Sequence, residues 1–239
     1  MTHIANFATA VISFQPSLGA DRSVAGVRFS NGAGAFTFSG SGGAVLTVGA
    51  SGIVNLDNST QTLASSLGVR LGTSASFLTS SSGALAVAGG VDNNGFLLTL
   101  GGTGSGSSSL SGIVSGSGGL SKTGSGTWTL SGANTYTGST AVAGGTLSFN
   151  SIANVGAASS ALGAPASAGV AVLQVGSGTT AGTLTYTGTG HTSDRVIDLA
   201  GTTGGVTLNA SGSGALVLTS ALTATGSGAK TRSEERRVG

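Results

Sequence analysis

Residues 116–147, GSGGLSKTGSGTWTLSGANTYTGSTAVAGGTL, decide the reading of the whole chain. They hold one short run, Thr127-Trp128-Thr129-Leu130, and open a second that runs just past their end, Thr146-Leu147-Ser148-Phe149; in both, apolar and hydroxyl side chains alternate. A period of two is the mark of a strand with one buried face. Between the runs lies Ser131 to Gly138, rich in turn formers. The unit is therefore strand, turn, short strand around Val142, Gly-Gly, strand.

Working outward, the same small phrase recurs: Gly or Ala, a few alternating residues, then Ser, Thr and Gly. Ala44 to Val48, Ile53 to Leu56, Ala84 to Val87 and Phe96 to Leu100 precede the central unit. Val170 to Val175, Thr183 to Tyr186, Arg195 to Leu199, Val206 to Leu208 and Leu216 to Leu218 follow it. Two or three such strands per coil predict a solenoid coil of about 20–30 residues. Stacked rungs about 4.8 Å apart pair backbone groups above and below and close a continuous apolar interior. The core is predicted at Leu46, Val48, Leu98, Leu100, Trp128, Leu130, Leu147, Phe149, Leu184, Ile197, Leu199, Leu208, Leu216 and Leu218. Intervening threonines should face outward, and glycines should form the corners. Helix is barely represented: Thr62 to Leu67 and Ala157 to Ala161 could each form one turn, without caps or a sustained helical period. Gly101 to Ser109 has a linker's composition, but with matching phrases on both sides it is predicted to be a long loop between coils.

Within the central stretch, Gly118-Gly119-Leu120-Ser121-Lys122-Thr123-Gly124, Gly126 to Gly132, Asn134-Thr135-Tyr136-Thr137-Gly138 and Gly144-Gly145-Thr146-Leu147 match a known pattern in order and spacing. The stretch resembles the passenger-associated transport repeat, also called the autotransporter-associated β-strand repeat. Trp128 departs from it, standing where the family usually has an aliphatic residue or Thr. The resemblance implies an all-β chain, a right-handed parallel β-helix (β-solenoid) forming a single repeat domain over residues 1–231, with 116–147 the best-matching repeat. It also implies export to, or beyond, the outer surface of a bacterium.

Composition agrees with a packed β chain. The 239 residues include 45 glycines, yet 38% are hydrophobic and only 7% charged, the reverse of a disordered chain. Between Asp92 and Asp194 the only formally charged side chain is Lys122. No Lys/Arg cluster suits nucleic acid, and absence of Cys removes disulfides and thiolate metal sites. No run of eighteen apolar residues predicts a membrane-spanning helix. The start, MTHIANFATAVISFQPSLGADR, lacks a basic segment and a full apolar run, so an export signal is expected upstream. Residues 232–239, RSEERRVG, carry five charges and no alternation, and they equal one reading frame of a common sequencing-library adapter. They are expected to be an artefact hanging as a disordered tail.

The chemical motifs fail on spacing. No G-x-G-x-x-G occurs, since Gly102 and Gly104 are followed by Ser107, and Gly176 and Gly178 by Ala181. The phosphate-loop pattern is approached only at Ala229-Lys230-Thr231, so no nucleotide is expected. Gly89 to Gly95 has the flavour of a calcium nonapeptide but supplies one carboxylate, Asp92, and reads as a polar turn in which Asp or Asn bonds its own backbone. The densest polar cluster runs from His191 to Asp198. On one strand Asp194 and Asp198 would be about 13 Å apart, too far for a glycosidase pair, so the cluster reads as a solvated corner. His3, Asp21, Asp57 and Asp92 have no partners nearby in sequence. Asn58-Ser59-Thr60 and Asn209-Ala210-Ser211 match a common glycosylation pattern.

No catalytic, cofactor-binding or metal-ligating residue is therefore assigned. The expected role is a non-catalytic extracellular passenger or stalk, with cell-surface or extracellular glycans as the ligand class. A translocating barrel or anchor is expected outside the fragment, and the isolated coil stack is expected to associate end to end. The alternatives are a polysaccharide-processing or polysaccharide-binding β-helix and, more weakly, part of an outer-membrane barrel, for which the strands are short and aromatics only 5%.

Overall fold

The computed structural model describes residues 3–7 and 16–227. Among these the chain is all-β but for one four-residue helix, Ala168–Ala171. Every pairing between named strands is parallel, and the strands stack into three faces of a β-solenoid of about nine coils. One coil shows the plan. Gly68–Leu71 lies on the first face, Ala75–Thr79 on the second and Leu85–Val87 on the third. The next coil repeats it with Val91–Asp92, Leu98–Gly102 and Ser108–Leu110. The coil after that continues with Val114–Ser115, Leu120–Lys122 and Thr127–Leu130.

Register produces the core. On the third face Leu63, Val87, Leu110, Leu130, Phe149 and Tyr186 sit one above another and are all buried. A one-residue slip would turn that whole column outward, so alternation and register enforce each other. Coil-to-coil offsets on this face run from 19 to 25 residues, with one of 37 between Phe149 and Tyr186. The long coil holds the excursion, residues 150–172. At the amino-terminal end Phe7, Phe29, Phe36 and Phe38 fill the interior with ring centroids 5.1–6.0 Å apart.

Ten of the fourteen expected core residues are buried, Trp128 and Leu130 together on the inner side. Leu199, Leu208, Leu216 and Leu218 are only partly buried. The last three line an apolar cavity of about 310 Å³ with Phe149, Leu184 and Ile197. Strand threonines such as Thr129 and Thr185 face outward but are half-covered by the adjacent rungs. Thr140 is inward and buried, stacked between Leu120 and Leu173.

Three local expectations need correction. Gly101 to Ser109 is no long loop: Gly101 and Gly102 end one strand, Ser108 begins the next, and only 103–107 turn the corner. The corner stacks on the coil below, with the Gly104 N–H donating to the Thr79 carbonyl (3.0 Å). In Val170 to Val175 the strand starts only at Leu173, since Val170 and Ala171 belong to the helix. Neither Thr62–Leu67 nor Ala157–Ala161 is helical; Thr62 and Leu63 lie in the strand Gln61–Leu63. Residues 228–239, including Ala229-Lys230-Thr231 and the adapter-like octapeptide, lie outside the described residues, as does Met1.

Candidate functional site

The cluster from His191 to Asp198 spans the end of Thr189–Ser193, a corner, and the start of Ile197–Gly201. It is not a solvated corner. Asp194 and Thr192 are exposed, but Ser193, Arg195 and Asp198 are buried. The excursion is the reason, because it folds down over this corner. The Ser193 hydroxyl donates to the Ala153 carbonyl (2.9 Å), and Asp194 Oδ1 accepts from the Val155 N–H (2.8 Å). The Arg195 guanidinium donates from Nε to the Ala171 carbonyl (2.8 Å) and from Nη1 to the Leu162 carbonyl (2.7 Å). Burial pulls the Arg195 pKa down against the opposing fields of Tyr136 and Asp194. Arg195 thus acts as a clamp, holding the middle and the carboxyl end of the excursion to the coil above.

The carboxylates of the cluster are engaged separately. Asp198 accepts from the Thr223 hydroxyl (3.0 Å), the Thr225 N–H (3.0 Å) and the Thr225 hydroxyl (2.6 Å). His191 Nδ1 pairs with the Tyr186 hydroxyl at 2.7 Å. Asp21 and Asp57 likewise spend an oxygen on backbone, the N–H groups of Val45 (2.9 Å) and Ser59 (2.7 Å). At Gly89 to Gly95 the polar-turn reading is right: Asp92 Oδ1 accepts from the Asn94 N–H (2.8 Å) and Asn93 Oδ1 from the Gly95 N–H (3.2 Å). Among the described residues no three His, Asp or Glu side chains gather as metal ligands.

The polar group that sequence reasoning passed over is Lys122. It alternates in step with Leu120, and both point inward. Its ammonium donates to the carbonyls of Thr123 (2.7 Å), Gly124 (3.1 Å) and Gly144 (3.1 Å). Those carbonyls lie at the corner where the chain turns through Gly124 and Gly145, both at positive φ. Left-handed turns aim carbonyls away from the rung ladder, and three N–H donors answer three orphan acceptors. One lysine therefore ties two successive coils.

Burial pushes the Lys122 amine down to about 8 from its ordinary 10.5. The unfolded chain keeps that proton to about pH 10.4. Between these values the unfolded state binds more protons, so stability rises with pH through the window and is flat below it. Burial raises Tyr136 to about 12, which opposes the trend only above about pH 10. Thermal melts from pH 7.5 to 9.5 should therefore show the wild-type Tm climbing relative to Lys122→Met. Parallel curves would mean that the amine titrates normally.

The family model described as passenger-associated-transport-repeat matches residues 120–149. The match begins at Leu120–Lys122 and ends at Phe149, the last residue of Gly145–Phe149. No curated protein and no solved structure shows significant similarity to the chain.

Proposed function

We propose that this chain is a non-catalytic segment of a bacterial autotransporter-like passenger, working as an extended stalk at or beyond the cell surface and carrying an adhesive face. One observation carries the reading. The residues that match the transport-linked repeat form two successive second-face and third-face strand pairs of the solenoid, stacked on each other, and the same strand plan continues in register on both sides. A coil that closes on its own neighbours, with few charges and no Cys, can cross a membrane unfolded and then add to the stack one turn at a time. Transport and folding would share a single unit. The non-catalytic part is supported by the engagement of Asp194, Asp198, Asp21 and Asp57 in structural hydrogen bonds. On this reading the partners are a translocating barrel or anchor, extracellular glycans and, for the isolated segment, further copies joined end to end. Display on the outer surface of a bacterium tests the reading. With an export signal and an unrelated translocating barrel attached, the segment should appear outside as a protease-resistant body.

A further inference from the structure

On the first face, four outward positions stack along the solenoid axis: Val45, Gly68, Gly90 and Ile113. Beside them runs a second column, Thr47, Arg70, Asp92 and Ser115. The two glycines leave a trough between Val45 and Ile113, about 370 Å³ in volume, with Arg70, Asp92 and Ser115 along its rim. Three rung steps make it roughly 14 Å long. We propose that this trough binds a neutral oligosaccharide lying along the solenoid axis.

Gly90 is the first reason. Its φ lies outside the left-handed region, and an added Cβ would come no nearer than 3.7 Å to any atom, the Ile113 carbonyl oxygen. At Gly68 a Cβ would come closest to the tip of Val45, at 3.2 Å, with the Ala44 carbonyl oxygen at 3.6 Å, an ordinary contact. Neither turn geometry nor packing demands glycine at 90. A bare floor does, because any side chain there would fill the trough.

The rim is the second reason. Arg70 Nε pairs with Asp92 Oδ2 at 3.2 Å, and Nη2 reaches Asn94 Oδ1 at 3.5 Å, while the two charged side chains stay 51% and 40% exposed. The guanidinium is thus held as a planar fork with donors to spare, beside a carboxylate that accepts. Because the pair is internally neutral, an anionic ligand would meet Asp92 and a cationic one Arg70. Vicinal hydroxyls suit both groups at once, and the C–H face of a sugar ring suits the exposed Ile113 and the half-buried Val45. An extended peptide fits less well. Val69 and Val91 are paired on both sides, and at the outermost strand Asn134 Oδ1 accepts from the Val114 N–H (2.8 Å) while the Val114 carbonyl accepts from the Thr135 N–H (2.9 Å), so these groups are not offered to a peptide backbone.

This deepens the adhesive part of the proposed function, and its test is independent of export. The purified full chain would be titrated by NMR with cellotriose, maltotriose, laminaritriose and mannotriose, and, for contrast, with trigalacturonate and an uncharged strand-forming decapeptide. At least one neutral trisaccharide should bind with a Kd of about 1 mM or tighter. Gly90→Leu should weaken it at least about tenfold with an unchanged Tm, and Arg70→Ala should weaken it similarly. Binding by none of the four, equal binding by both variants, or preference for trigalacturonate or the peptide would overturn the assignment. Any of those results would leave the stalk reading to be judged by surface display.

Discussion

Replacing Trp128 with alanine should destabilise the protein by about 3–5 kcal/mol, the cost of emptying a fully buried aromatic site. Trp128 has no exposed surface, and its indole N–H donates to the Gly101 carbonyl at 3.3 Å. The ring fits because of the coil below. In register with Trp128 on one side stands Leu147, on the other Ser108, a small buried residue whose oxygen accepts the Leu85 N–H at 3.0 Å. A large ring over a small neighbour keeps the column full, and without the ring little is left to collapse into the gap. Denaturant melts read the loss directly. As the chain's only tryptophan, its emission should be blue-shifted and poorly quenched by acrylamide in the folded state. Ser108→Leu should also destabilise, while Ser108→Leu combined with Trp128→Leu should recover much of each loss. Simple additivity of the two would show that the residues do not share a column.

Gly102→Ala should cost a comparable amount, roughly 3–5 kcal/mol from two sources. Gly102 takes φ of 112°, which is strained for any residue with a Cβ. A Cβ at this position would also run into the Thr79 backbone of the coil below, which cannot swing aside as a side chain could. The rungs would have to separate locally, breaking the ladder at that corner. Circular dichroism melts of Gly102→Ala beside Gly90→Ala make the comparison. The first should lose many degrees and the second almost none. Equal losses would mean that the corners are not closely stacked.

Much of this architecture is written in local patterns. The alternation at Thr127–Leu130 and Gly145–Phe149 places Trp128, Leu130, Leu147 and Phe149 inside, because a period of two on a stacked rung has one dry face. The same rule places Lys122 inside beside Leu120. Its charge argues for the surface, and only the folded corner shows the three carbonyls that it answers. Arg195 was beyond local reading altogether. Its partners Ala171 and Leu162 lie 24 and 33 residues away in an excursion that breaks the coil length, and no alternation marks where an insertion will dock. The trough is illegible for a related reason. Gly68 and Gly90 look like every other glycine in the sequence until register sets them one above the other between Val45 and Ile113.

The most direct measurement couples coil register to surface delivery. Val69 and Val91 occupy equivalent rungs, so deleting residues 69–90 removes one whole coil, whereas deleting 69–79 removes about half of one. Each deletion would be displayed beside the parent segment through the same export signal and barrel, and the cells treated with proteinase K. The account predicts that the parent and the whole-coil deletion appear at the surface as compact protease-resistant bodies, the latter shorter by one turn, while the half-coil deletion is degraded or retained. Equal, resistant display of both deletions, or failure of the parent to leave the cell, would contradict it.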